Sequence, residues 1–229
     1  MVARGRAATP GPGGGGARPG RGLSRPRRVD GAQGLSRSAE ITRTTGETHV
    51  ELTLDLDGAG EGVRHTGVGF FDHMLDALAR HGRLDLDVRV RGDLQTGAHH
   101  TVEDTGIALG QALDRALGER AGISRYGQAT IPMDEALASC AIDLSGRPFT
   151  AFAAELPPVS VADFDVDLLE EFLRAVAAAA RLTLHLRIEA GTNAHHMVEA
   201  AFKAFARALR AAAAIDPDGQ GIPSTKGLL

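Results

Sequence analysis

The residues with the clearest chemical purpose are two copies of one pattern, His99-His100-Thr101-Val102-Glu103 and His195-His196-Met197-Val198-Glu199. On a helix, the first His and the Glu of each copy stand four residues apart. That places them about 40° apart around the axis and one turn along it, so both side chains can grip one cation. The second His is turned about 100° away and addresses a different ion. Each copy therefore offers a chelating pair plus one outward imidazole, and two copies can supply two metal sites. A lone His-His pair at a helix start is ordinarily a solvated surface feature. Two copies with the same trailing Glu, placed alike in a repeat, are not explained that way. Imidazole and carboxylate without thiolate suit Mn, Fe or Zn, and Mn where octahedral geometry leaves positions open for substrate. His73 and His81 lie on an earlier helix about 12 Å apart, too far to share one ion, so one of them at most completes a site.

The elements that must hold these side chains are visible in the hydrophobic periodicity. Residues 48–57 alternate as a strand, with Val50, Leu52, Leu54 and Leu56 on one face, and residues 84–91 alternate again. Helical spacing runs through residues 71–81 and 101–117. The second half repeats this order, with strands over 136–144 and 182–188 and helices over 167–180 and 195–214. Leu84–Val90 matches Leu182–Ile188 at an offset of 98 residues, and His99–Glu103 matches His195–Glu199 at an offset of 96. The difference falls in a strand-to-helix turn, where length changes are tolerated. The predicted fold is thus α+β, an internally duplicated two-layer sandwich with helices covering one face of each sheet. Its repeats span about 39–122 and 123–215, followed by a loop over 216–229.

Composition narrows the function further. Hydrophobic content of 43% and a net charge of only −4 are those of a globular chain with a proper core. No apolar run approaches the roughly 18 residues of a membrane span. The single Cys140 excludes a disulfide framework and is compatible with a reducing cytosol. Residues 1–38 are rich in Gly, Arg and Pro and read as a disordered tail; their eight Arg and single Asp30 give about +7. The rest then carries about −11, which argues against nucleic acid as the partner of the folded body. The tail is Arg-rich like a transit peptide but lacks an amphipathic apolar face. Of 25 basic residues only Lys203 and Lys226 are lysine, and under so strong an arginine bias their retention draws notice.

Longer motifs then bring a family into view. Gly69-Phe70-Phe71-Asp72-His73-Met74-Leu75, His99–Asp104, Asn193–Ala200 with Phe202-Lys203, and Pro223-Ser224-Thr225-Lys226-Gly227 resemble the imidazoleglycerol-phosphate dehydratase family over about residues 40–229. The resemblance implies a cytoplasmic hydro-lyase of histidine biosynthesis that converts D-erythro-imidazole-glycerol phosphate to imidazole-acetol phosphate. It implies two Mn²⁺ ions per active site gripping the imidazolate ring. It also implies a fold resembling domain 2 of ribosomal protein S5, in trimers that build a 24-subunit homo-oligomer with interfacial sites.

Carried over by motif, His73, His99, His100, Glu103, His195, His196 and Glu199 are the implied metal ligands. Glu47, in Thr45-Gly46-Glu47-Thr48, is the implied base, with Glu103 and Glu199 as further catalytic carboxylates. Implied substrate contacts are Glu47, His73, His81, His99, His195 and Lys203, with Arg125, Arg147, Ser224, Thr225 and Lys226 toward the phosphate. Hydroxyls, backbone amides and a point charge suit a phosphate dianion. One position departs: the family pattern Val-Glu-His-Phe-Phe is here Leu169-Glu170-Glu171-Phe172-Leu173, and the repeat offset independently carries His73 onto Glu171. A carboxylate can bind Mn, so Glu171 joins the expected ligands with altered charge. Two other classes use similar donors. A dinuclear phosphate-ester hydrolase would show Asp-rich clusters, which this sequence lacks. A metal-storage protein has no use for Glu47 or a phosphate loop.

Overall fold

The computed structural model describes residues 37–219, 221–227 and 229. Two four-stranded sheets are built with the same connectivity. The first holds β1 (Ser38–Thr44), β2 (Thr48–Asp55), β3 (Arg64–His65) and β4 (Asp85–Gly92) in the order β1-β2-β4-β3. The second holds β5 (Tyr126–Met133), β6 (Ala136–Asp143), β7 (Phe149–Ala153) and β10 (Thr183–Ala190) in the order β5-β6-β10-β7. In each, the first three strands of that order are antiparallel and the last pairs in parallel. The second half adds a hairpin of β8 (Ser160–Val161) and β9 (Phe164–Asp165).

Helices α1 (Gly69–Gly82) and α2 (His99–Leu117) belong to the first half, α3 (Leu168–Ala179) and α4 (Ala194–Ala213) to the second. Each half turns its apolar strand face inward: Val50, Leu52, Leu54, Leu86 and Val88 on one side, Ala138, Cys140, Ile142, Leu184 and Leu186 on the other, all buried. The helices cross between the halves, α1 on α4 and α2 on α3, while α2 also lies on β1 and β2 and α4 on β5 and β6. Phe71, Phe164, Phe172 and Phe202 fill the seam, with Phe172 and Phe202 stacked at 5.2 Å. The α2–α3 crossing is close because α2 has Gly106 and Gly110 there. A methyl group at Gly110 would sit 2.6 Å from the Val176 carbonyl oxygen. This crossing sets Glu171 beside the helix that carries Glu103.

Every inner strand, β2, β4, β6 and β10, agrees with the periodicity to within about two residues, as do all four helices. The edge strands β1, β3, β5 and β7 and the small hairpin are additional to it. An edge strand buries little, so its alternation is muted: β5 alternates only between exposed and half-buried positions. The expected tail lies outside the described residues over 1–36, and its boundary at 38 is corrected. Ser38 opens β1, and Arg37 pairs with Asp57 and donates to the Ala213 carbonyl at 2.5 Å. Among the described residues, no helix is long and apolar enough to cross a membrane.

Candidate metal centre and substrate site

Helix α4 starts where Asn193 caps it, its side chain accepting the His195 N–H at 2.9 Å. From that start, His195, Glu199 and Lys203 fall on one stripe at four-residue spacing. His195 Nε2 lies 3.0 Å from Glu199 Oε2, and Lys203 Nζ lies 2.7 Å from Oε1. Helix α1, packed against α4, brings His73 Nε2 to 3.5 Å from the same Oε2. The β8–β9 turn fixes the head of α1: Asp163 accepts the N–H groups of Gly69 and Phe70 at 2.6 and 3.0 Å. Phe70 stands edge-on to His195, centroids 5.0 Å apart, and walls the cluster.

His73, His195 and Glu199 each point one ligand atom to within 4.8 Å of the others, which is the geometry of a cation site. Burial pushes the Glu199 carboxyl up, but Lys203, His195 and His73 outweigh it and hold it below its usual value. The sequence places His81 near the substrate. It sits two turns down α1 from His73, outside that group, and burial together with Lys203 and Arg207 lowers its pKa.

The first-half copy is built alike but is open. His99 Nε2 stands 3.9 Å from Glu103 Oε2, with both side chains about half exposed at 55% and 45%. Glu171 and Glu103 line one shallow hollow, with Ile107 and Arg174 beside them, and Arg174 is already paired with Glu170. The repeat therefore brings Glu171 into one hollow with Glu103, whereas its counterpart His73 approaches Glu199 to 3.5 Å. Among the described residues, only the α4 copy forms a closed three-ligand group.

The second histidines turn away from these clusters, as the helical angle requires. His100 Nδ1 is 3.0 Å from Asp93, and His196 Nδ1 is 2.8 Å from Glu135 Oε2. Glu135 Oε1 also accepts the N–H groups of Thr192 at 3.1 Å and Asn193 at 2.8 Å. His196, with these two amides, pulls the Glu135 carboxyl down to about 2, and Glu135 in turn raises His196. Asp93 likewise raises His100, with smaller contributions from Glu47 and Glu103. Glu47 occupies the exposed β1–β2 turn, whose second-half counterpart is the Asp134-Glu135 turn between β5 and β6. That first turn is pinned to α2. Buried Asp104 accepts hydrogen bonds from Thr45 and Thr48 and pairs with Arg43 at 2.8 Å.

Sequence reasoning passed over Asp93, Asp104, Glu135 and Asp163. Each sits in a turn or on a helix face with an ordinary composition and works only through contacts distant in sequence. Asn193 had a readable signal, a capping residue directly before the helix.

The phosphate-binding candidates lie elsewhere in the chain. Arg125, at φ 69°, pairs with Asp143 at 2.8 Å and donates to the Pro223 carbonyl at 2.8 Å, anchoring the segment that carries Ser224, Thr225 and Lys226. Ser224 Oγ accepts the Lys226 N–H at 3.2 Å, and Thr225 and Lys226 face solvent, as does Arg147. The Arg125 N–H bonds the Ala212 carbonyl, near the end of the helix that His195 begins. The seventeen steps from His195 to Ala212 span about 26 Å of helix. Within one chain, then, the Ser224–Lys226 loop and the His195–Glu199 cluster are at opposite ends of α4.

Fold and cluster together define a duplicated α+β protein with a His/Glu group able to hold a cation. The family model for imidazoleglycerol-phosphate dehydratase matches residues 66–209, which include His73, both His-His-x-x-Glu copies, Glu171 and Lys203. The imidazoleglycerol-phosphate dehydratase of Acidiphilium cryptum is 58% identical over 196 residues, 85% of this chain and 100% of that protein. That of Moorella thermoacetica is 55% identical over 195 residues, with the same coverage of both. The crystal structure of the Staphylococcus aureus enzyme superposes with a TM-score of 0.71 at 40% identity, over 78% of this chain and 99% of that one. The chain belongs to the imidazoleglycerol-phosphate dehydratase family of hydro-lyases.

Proposed function

We propose that the chain dehydrates D-erythro-imidazole-glycerol phosphate to imidazole-acetol phosphate at a site holding two Mn²⁺ ions. The observation that carries this reading is the His73–His195–Glu199 group, three convergent donors within 4.8 Å of one another on two packed helices. The donor set fits the metal, since imidazole and carboxylate without thiolate match the preference of Mn²⁺. His73, His195 and Glu199 hold one ion and Glu171, His99 and Glu103 the other, with His100 and His196 as outward ligands. When bound, the ions favour the imidazolate form of the ring and stabilise the charge that develops on it.

The reaction itself removes the C2 hydrogen and the C3 hydroxyl as water, and the resulting enol tautomerises to the ketone. The C2 hydrogen lies beside a hydroxyl rather than a carbonyl and is scarcely acidic, so a well-placed base is required. Glu47 is that base in this reading. It projects from a turn that Asp104 fixes, close enough to His100 to influence its charge. Lys203 and His81 line the α1–α4 side of the site. Arg147, Ser224, Thr225 and Lys226 take the phosphate, while Arg125 anchors their loop. Because α4 separates that loop from the cluster, a substrate that touches both is shared between copies. This supports a homo-oligomer as the working form, in this proposal trimers assembling to a 24-mer in the cytoplasm.

The test is product formation from imidazole-glycerol phosphate by metal-stripped protein, with and without added Mn²⁺. Imidazole-acetol phosphate formed only with Mn²⁺ is expected. Turnover that is indifferent to metal overturns the metal reading, and a folded, Mn-loaded oligomer without turnover overturns the substrate.

A further inference from the structure

The two outward histidines share a feature that neither the helix geometry nor the cation clusters demand. Each has its Nδ1 held by a carboxylate from a neighbouring turn, His100 by Asp93 at 3.0 Å and His196 by Glu135 at 2.8 Å. The two carboxylates come from non-equivalent places in the repeat. Asp93 follows β4, whereas Glu135 sits in the β5–β6 hairpin. The same arrangement has thus been reached by two routes. An ionised carboxylate only accepts hydrogen bonds, so it keeps the imidazole proton on Nδ1 and leaves the Nε2 lone pair free. For His196 the nearest acid to Nε2 is exposed Asp134, at 3.8 Å and beyond hydrogen-bond reach.

We infer that Asp93 and Glu135 are positioning residues, which fix ring orientation and tautomer so that His100 and His196 present Nε2 to a metal ion. The inference rests on the di-metal reading above and extends it to two residues in the turns behind the ligands. Both turns are themselves braced. Asp93 accepts the Thr96 hydroxyl at 2.9 Å, and its N–H bonds the Glu47 carbonyl at 3.1 Å. Glu135 is braced by the Thr192 and Asn193 amides on its other oxygen. Glu135 is therefore held by the backbone that leads into α4, and Asp93 by Thr96 and the β1–β2 turn.

Glu135→Gln separates orientation from folding. The amide oxygen still accepts from Thr192 and Asn193. The amide NH₂, now facing Nδ1, can only donate, and drives the imidazole proton onto Nε2. At His100 both Asp93 oxygens lie near Nδ1, at 3.0 and 3.2 Å, so Asp93→Asn replaces one of two acceptors with a donor and serves as an independent second variant. The experiment titrates stripped full-length protein with Mn²⁺ and reads unbound Mn²⁺ by electron paramagnetic resonance, with the Tm of each stripped protein measured alongside. Each amide variant is expected to bind Mn²⁺ about 10–100-fold more weakly while staying fully folded at the titration temperature, and Glu135→Asp to recover most of the affinity. Wild-type affinity in both amide variants overturns the inference. So does weakened binding in variants that are both already partly unfolded at that temperature, which assigns the carboxylates to folding. Wild-type protein that takes up no stoichiometric Mn²⁺ overturns the metal reading itself, and is distinguished from the other two results by the wild-type arm alone.

Discussion

The α1–α4 cluster and the α2–α3 cluster are two versions of one design, and they have diverged in their partners rather than in their core pair. Both keep His and Glu four residues apart. The α4 copy adds His73 from the facing helix and Lys203 one turn on, so both oxygens of Glu199 are engaged and its side chain is 9% exposed. The α2 copy has Glu171 in place of His73 and Ile107 in place of Lys203. Its Glu103 is 45% exposed and 3.9 Å from His99. The first set balances one carboxylate against one ammonium, while the second gathers two carboxylates in an open hollow whose arginine is paired elsewhere. Duplication thus supplies a common frame, and single substitutions at the helix contacts set the charge and closure of each site.

Variants that act on one copy and spare the other test this contrast. The largest effect is expected for Glu47→Gln, in the turn beside the α2 copy. It should lower kcat by about 10²–10⁴-fold with unchanged Mn²⁺ binding, as removal of a general base does. Undiminished turnover removes Glu47 from that role. Next, Glu171→Ala should weaken one of the two Mn²⁺ binding phases by at least about 10-fold, the scale seen when a site loses even an outer partner, and leave the other phase untouched. Glu171→His should restore the lost phase. Two unaltered phases in Glu171→Ala would show that the α2 copy does not use this carboxylate.

A stability effect should follow at the α4 copy. Lys203→Met deprives a buried carboxylate of a charged hydrogen bond and should cost about 1.5–3 kcal/mol in the stripped protein, measured by denaturant unfolding. The like change Ile107→Met in the α2 copy should be nearly neutral.

The smallest effect concerns pH. Glu135 is held at about 2, so its contribution to stability is present above the ordinary carboxylate value of 4.5 and is lost as pH falls through about 2. His196 is raised, so its contribution is complete below the ordinary 6.5 and is lost as pH rises through its elevated value. The pair should therefore stabilise the metal-free protein most between about pH 4.5 and 6.5. In Glu135→Gln the pair's losses of stability on the acid and alkaline sides of that window should disappear, and an unchanged Tm profile would show the pair to be inert.

Much of this was legible in the sequence because it is local or repeated. The paired His–Glu spacing, the 98-residue offset that sets Glu171 against His73, and the four inner strands follow from helical angle and period-2 burial alone. The edge strands were not legible, since β1 and β5 alternate mostly between exposed and half-buried positions and carry few large apolar residues on the inner face. Nor were Asp93, Glu135 and Asp163, whose work depends on which turn meets which helix head after folding. Arg125 was legible as a residue of interest but not in its actual place. It holds Asp143 and the Pro223 carbonyl, and serves the loop from behind.

The decisive measurement is turnover followed against bound Mn²⁺ as stripped protein is reloaded. Two ions per chain are expected in two distinguishable phases, one for each cluster, with activity appearing only as the second phase fills. Full activity at one ion per chain, or a chain that never binds more than one, would contradict the claim that both copies of the repeat are working metal sites.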